Sequence, residues 1–245
     1  MQIRFDEDVA NQLRKLVIFD VEGTLIDNVK ATVLSWHQTF HQHGYQFSVS
    51  ALQRHFGRDP DEMIRALLPA SDAARLAPSL KETQRSCYRQ EYLEKVKSFP
   101  VAPILLERAK RMNYAVALVS CCAKDELHHY VDLARIADFI DTIACGEDVA
   151  RDDPQVELIC LVLARLTGGS PKDAVMVSST VSDALAARRA GVAVLGLLCS
   201  GFGEEELMGA GCIAVYRNLA SLLDNYFRFD DRVSNRDMPG RRPRA

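Results

Sequence analysis

The sequence predicts an α/β fold: a doubly wound, Rossmann-like parallel sheet with an all-helical domain inserted after its first strand. Three observations carry this. Short apolar runs alternate with helical patterns over the second half of the chain, as in parallel sheets with right-handed crossovers. About 85 residues without a strand-like run separate the first apolar run from the second, far too many for a loop. The first run ends in an aspartate, at the strand end where open α/β sheets place their ligands.

The first element is Leu16–Phe19, four apolar residues that read as a buried strand and run into Asp20-Val21-Glu22-Gly23-Thr24. The long segment that follows is helical in pattern. Over Val29–His43, residues Val33, Trp36, His37 and Phe40 share one face, and Gly44 is a C-terminal stop. Asp59-Pro60 opens a second helix as cap and first-turn proline, carrying Met63, Ile64, Leu67 and Leu68. Leu80–Val96 gives a third. Residues 29–97 are therefore expected to form a helical cap over the C-terminal edge of the sheet, with 1–28 and 98–228 forming the core. Residues 229–245 are charged, rich in Arg, Pro and Asp, and expected to be a disordered tail.

In the core, strands are expected at Ala115–Val119, Thr142–Cys145, Ala174–Val177, Val192–Leu195 and Ile213–Tyr216. Helices are expected at Ile104–Met112, Glu126–Leu133, Val156–Leu166 and Asp183–Ala190. With 48% hydrophobic residues among 245, the chain can bury a sizeable core. A net charge of −3 argues against a general nucleic-acid or membrane-surface partner. No apolar run reaches spanning length, and the polar start has no signal-like segment. Seven cysteines without framework spacing suggest reduced thiols and a cytoplasmic protein.

Asp20 is a candidate nucleophile. A carboxylate attacking a phosphoryl group splits one hard step into two. An anion attacking an anion needs neutralisation, which Mg²⁺ supplies from one or two carboxylates plus substrate oxygens. Glu22, two residues on and on the same side of an extended chain, is placed to protonate the leaving oxygen.

From about Leu16 to Leu223 the chain resembles the haloacid dehalogenase-like superfamily, in its helical-cap subgroup near the phosphoglycolate phosphatases. That family opens with Asp-x-Asp-Gly-Thr-Leu-x-Asp, and this chain has Asp20-Val21-Glu22-Gly23-Thr24-Leu25-Ile26-Asp27. Ser120 ends the next core strand, as the second motif requires. Ala187-Arg188-Arg189-Ala190-Gly191 and Gly209-Ala210-Gly211-Cys212 match later helix ends and turns. The resemblance implies that Asp20 and Glu22 are catalytic. It implies that Thr24, Ser120 and Cys121 bind the substrate phosphate, and that Asp20, Glu22 and Asp183 hold the metal.

Three positions depart from the pattern. Glu22 replaces an aspartate and moves the proton donor by about 1.5 Å, where a 1 Å misplacement costs on the order of a hundredfold. In Gly146-Glu147-Asp148-Val149-Ala150-Arg151-Asp152-Asp153-Pro154, Asp153 stands where the family has a lysine. A unit charge near 4 Å is worth roughly 4 kcal/mol at an effective dielectric of 20, so an acid there is expected to repel Asp20 and a phosphate. In Ser178-Ser179-Thr180-Val181-Ser182-Asp183, Ser179 stands where the family has a metal-binding aspartate, and Asp183 is retained.

The expectation is a phosphatase-type member with impaired or lost activity and weak Mg²⁺ binding, whose partner is a small phosphorylated metabolite or a protein. The alternative is an active Mg²⁺-dependent phosphatase working through an aspartyl-phosphate. Lys124 and Arg151 are the nearby cations that compensation would call on. Cys121-Cys122 are placed at the site mouth. His37 and His41 share a helix face without an evident third ligand. The Arg54–Arg58 segment reads equally as a substrate-facing loop or an ordinary turn.

Overall fold

The computed structural model describes residues 15–149 and 153–225. The expected disordered tail and Arg151 lie outside them. Six strands form one parallel sheet: β1 (Leu16–Asp20), β4 (Ala115–Ser120), β5 (Thr142–Cys145), β6 (Ala174–Ser178), β7 (Ala193–Leu197) and β8 (Cys212–Tyr216), in the order β5-β4-β1-β6-β7-β8. The central strands are buried along their whole length, as their unbroken apolar runs require of a sheet covered on both faces.

Helices α5 (Ala102–Arg111), α6 (Lys124–Ala134), α7 (Pro154–Thr167), α8 (Val181–Arg189) and α9 (Glu204–Ala210) connect and cover the strands. They close two apolar layers. One joins Val17 and Phe19 to Leu105, Leu106, Leu127 and Tyr130. The other joins Leu16 and Ile18 to Leu158, Ile159, Val162 and Leu207. Alternate β1 side chains enter opposite layers, the period-two geometry of a strand. Among the described residues, no helix is long and apolar enough to cross a membrane.

Three strands extend one residue past the apolar run, into the polar residue at its end. Asp20 pairs with Val119, Ser120 with Cys145 and Ser178 with Gly196. The ladder uses backbone groups, so a polar side chain at the last position costs it nothing.

The segment after β1 is helical, with α1 (Val29–Gln42), α2 (Val49–Gln53), α3 (Pro60–Leu67) and α4 (Ala70–Cys87). Its core is a third cluster, centred on Val33, Trp36, Phe40, Met63, Ile64 and Leu80. Asp59 caps α3, accepting from the backbone N of Asp61 at 2.9 Å and of Glu62 at 3.2 Å. Gly44 ends the first helix region with φ 85°.

Sequence periodicity places the last of these helices at Leu80–Val96. The helix instead begins ten residues earlier, runs through Pro78, and gives way to a π-helical turn (Tyr88–Tyr92) and a 3₁₀ turn (Leu93–Lys95). An interior proline costs about 3 kcal/mol. Ala73 and Leu80, packed in the third cluster on either side of Pro78, offset it. Two pairs of residues tie the ends of the segment together: β2 (Ile26–Asp27) is antiparallel to β3 (Lys97–Ser98).

Candidate active site

The connection from β1 leads to β4 on one side, and that from β6 leads to β7 on the other. The crevice between the C-terminal ends of β1 and β6 is therefore the topological switch point, where ligands bind in such sheets. Asp20 stands on one lip. Ser178, Ser179, Thr180 and Asp183 stand on the other.

After Asp20 the chain turns back at once. The backbone N of Leu25 and of Ile26 donate to Val21 O at 2.9 and 3.0 Å, and Gly23 N donates to Ile26 O at 2.9 Å. Gly23 sits at φ +74°, and a Cβ there would lie 2.4 Å from Ser200 Oγ and 2.8 Å from Phe56 Cε1. Only glycine fits that turn.

Three hydroxyls and a carboxylate form a relay. Thr24 Oγ1 donates to Asp20 Oδ2 at 2.8 Å and lies 3.1 Å from Ser179 Oγ, which lies 2.6 Å from Ser200 Oγ. Thr24, Ser179 and Ser200 are all buried. Asp183 Oδ2 accepts from Ser178 Oγ at 2.8 Å and from Thr180 Oγ1 at 2.6 Å, and Thr180 also caps α8 by accepting from Asp183 N.

A second network surrounds Glu22. Its Oε1 accepts from Asn28 Nδ2 at 3.2 Å and its Oε2 from Ser120 Oγ at 3.2 Å. Asn28, fully buried, accepts from Gly23 N at 2.9 Å and sits beside the hydroxyls of Tyr88 and Tyr130. Those hydroxyls are 2.6 Å apart, and Tyr130 donates to Glu126 Oε1 at 2.7 Å. Tyr88 comes from the helical insert and Tyr130 from α6, so the network ties the insert to the helices of the sheet.

The electrostatics are one-sided. Burial, then the charge of Asp183, holds Asp20 well above the ordinary carboxylate range. Burial and Glu126 push Glu22 up to about 7. Burial raises Asp183 and Glu126 as well. Cys121 and Cys122 open onto the same space, and both thiols are raised by desolvation and by these acids. A raised thiol is a poor nucleophile.

These groups line a cleft of about 210 Å³ between the sheet edge and the insert. Trp36, Phe56, Met63 and Tyr88 form its apolar wall; Arg58 and Arg85 are its cations among the described residues. The insert is docked closely. Gln155 Nε2 donates to Gly57 O at 2.6 Å, and Arg54 pairs with Glu206 and lies over Phe202. A Cβ on Gly57 would lie 2.6 Å from Thr180 Cγ2.

The structure thus brings Asp20, Glu22, Thr24, Ser120, Cys121, Asp183 and Ser179 to one crevice. It does not bring Asp153. That residue opens α7, is part-exposed, and its Oδ1 lies 3.1 Å from Arg189 Nη2, outside the cleft lining. The expected repulsion of Asp20 by Asp153 is corrected accordingly: the like charges acting on Asp20 are Asp183 and Glu22. Lys124 does not line the cleft either; its charge bears on Asp148. His37 and His41 line a separate surface hollow with Tyr45.

The haloacid dehalogenase-like hydrolase family model matches residues 17–197. The chain belongs to that family. It is 26% identical over 182 residues to a phosphoglycolate phosphatase of Aquifex aeolicus, covering 72% of this chain and 81% of that one. It is 25% identical over 192 residues to the pyrophosphatase PpaX of Bacillus velezensis, covering 78% and 86%. Among solved structures it is similar to a hydrolase from Pseudomonas syringae, with TM-score 0.76, 24% identity, and coverage of 88% and 99%.

Phosphatases of this family generally use Mg²⁺. The donors here make a poor site for a resident ion, with Asp20 and Asp183 the carboxylates left to face it. Among the described residues no three His, Cys, Asp or Glu side chains converge as a metal cage. One oxygen of Asp183 is taken by two hydroxyls and one of Asp20 by Thr24. Ser179 offers only a neutral hydroxyl, already engaged in the relay.

Several residues of the site carry no sequence signal. Asn28, Tyr88, Glu126 and Tyr130 are far apart in the chain and meet only through the fold. Arg58 falls in the flagged Arg54–Arg58 segment, whereas Arg85 reads as an ordinary helix-surface charge.

Proposed function

We propose that this family member is a ligand-binding relative of the phosphatases whose phosphoryl-transfer activity is impaired or lost. One observation carries the reading: Asp20 faces Asp183 and Glu22 in a buried crevice that no lysine lines among the described residues, while Ser179 is closed into a hydroxyl relay. A phosphoryl group brought to Asp20 meets like charge from three sides, and mutual repulsion of this kind suppresses both binding and attack.

The test is phosphate release from p-nitrophenyl phosphate with millimolar Mg²⁺, using the full chain. Turnover at or near background is expected. Robust turnover that Asp20→Asn abolishes overturns the reading.

A second reading is favoured by Glu22. Held by Ser120 and Asn28 and titrating at about 7, it has the proton affinity that suits a general acid and base near neutrality. Under that reading the chain is an active Mg²⁺-dependent phosphatase of a small phosphorylated metabolite, with Asp20 as nucleophile. The same assay separates the two.

A further inference from the structure

The cleft is segregated by charge. Its floor, from the sheet and the core helices, carries Asp20, Glu22, Glu126 and Asp183. Its roof, from the insert, carries Arg58 in the turn before α3 and Arg85 in the last turn of α4. Neither arginine forms an ion pair among the described residues, although three other arginines of the insert do: Arg54 pairs with Glu206, Arg75 with Asp72 and Arg89 with Asp125. Arg85 and Glu126 both line the cleft, and the charge of Arg85, after that of Arg89, acts on the Glu126 carboxyl.

Two further polar atoms await partners in the same cleft. Thr32 Oγ1 and His55 Nδ1 are shielded from solvent, accept or donate no hydrogen bond, and belong to side chains that line it. Buried polar atoms are satisfied in the great majority of cases, and unsatisfied ones mark places where a ligand or water completes the set. At about 210 Å³ the space is below the range typical of drug-sized ligands.

We propose that the cleft binds a small zwitterion, with its amine on the carboxylate floor and its phosphate or carboxylate on Arg58 and Arg85. The inference rests on the reading that no resident cation neutralises the floor. It inverts the usual orientation of a phosphatase substrate, whose phosphate faces the nucleophile. Here the anionic group is at the insert, where guanidinium forks bind planar or tetrahedral oxyanions by paired hydrogen bonds. An ammonium placed among the floor carboxylates is attracted by each of them, at a depth where screening by water is weak.

The experiment uses the full chain freed of metal with EDTA, with calorimetric titration of three probes at pH 7.5: phosphoethanolamine, ethyl phosphate and ethylammonium. Phosphoethanolamine is expected to bind at least tenfold more tightly than either of the others. The double substitution Arg58→Ala/Arg85→Ala is at exposed positions, so folding is retained and checked by circular dichroism. It is expected to reduce phosphoethanolamine affinity to that of ethylammonium, and Glu126→Gln to reduce it toward that of ethyl phosphate. Equal affinity for phosphoethanolamine and ethyl phosphate, no binding of any probe, or unchanged affinity in the arginine variant overturns the proposal. So does a requirement for added Mg²⁺. Phosphate released from a bound probe counts against the impaired-activity reading alone, so the two fail separately.

Discussion

Glu22→Gln tests the origin of the site's electrostatics most directly. The Glu22 carboxyl titrates at about 7 against an ordinary 4.5, chiefly through desolvation and the charge of Glu126. The unfolded chain therefore ionises Glu22 first as pH rises, and ionisation of the unfolded state favours unfolding. The stabilising contribution is complete below pH 4.5 and is lost as pH climbs to about 7. At about 1.36 kcal/mol per pH unit, that interval is worth about 3 kcal/mol. Glutamine keeps the size, can accept from Asn28 and donate to Ser120 Oγ, and cannot ionise. Guanidinium denaturation in EDTA at pH 4.5, 6 and 8 is the assay. The wild-type chain should lose about 3 kcal/mol more than the variant across this range, and the variant should be the more stable at pH 8. Parallel curves, with a constant difference at all three pH values, would refute the claim that Glu22 is held in a desolvated, like-charged setting.

Ser179→Asp places a carboxylate in a fully buried hydroxyl relay beside Asp20. In EDTA it should destabilise by about 3 kcal/mol or more, and millimolar Mg²⁺ should restore melting temperature in the variant while leaving the wild type unchanged. Adding Asp153→Lys should create measurable phosphatase turnover; a double variant that folds, binds Mg²⁺ and stays inactive would show a cleft remodelled beyond those two positions. Gly57→Ala forces a left-handed alanine against Thr180, at a combined strain and overpacking cost of about 2–4 kcal/mol in chemical denaturation. Tyr130→Phe removes the hydroxyl that joins Tyr88 to Glu126 and should cost about 1–2 kcal/mol, leaving the sheet's circular dichroism intact.

The sheet was legible because the strands are short apolar runs, three of them closed by a polar residue, and the parallel arrangement follows from helices lying between them. Runs such as Val116-Ala117-Leu118-Val119 have no alternative use in a chain of this polarity. The short helix Val49–Gln53 and the two-residue ribbon Ile26–Asp27 with Lys97–Ser98 were not legible, since each is too short to show a period and is fixed by contacts distant in sequence. Motif spacing located Asp20, Ser120 and Asp183, because strand ends in a parallel sheet converge on one edge. Side-chain direction was beyond its reach. Asp153 aligns with a lysine position, yet its carboxylate turns to Arg189.

The contrast between Asp153 and Ser179 bears on how such a site changes without loss of fold. Position 153 is a part-exposed helix start whose carboxylate has a partner in Arg189, so an acid there costs the fold little. Position 179 is completely enclosed, and there an acid without a cation is a buried unpaired charge beside Asp20. A hydroxyl removes that charge and closes the gap by hydrogen bonding to Thr24 and Ser200. The hydrogen bonds of Asp20 to Thr24 and of Asp183 to Ser178 and Thr180 order the ends of β1 and β6, a structural task independent of the chemistry the cleft performs.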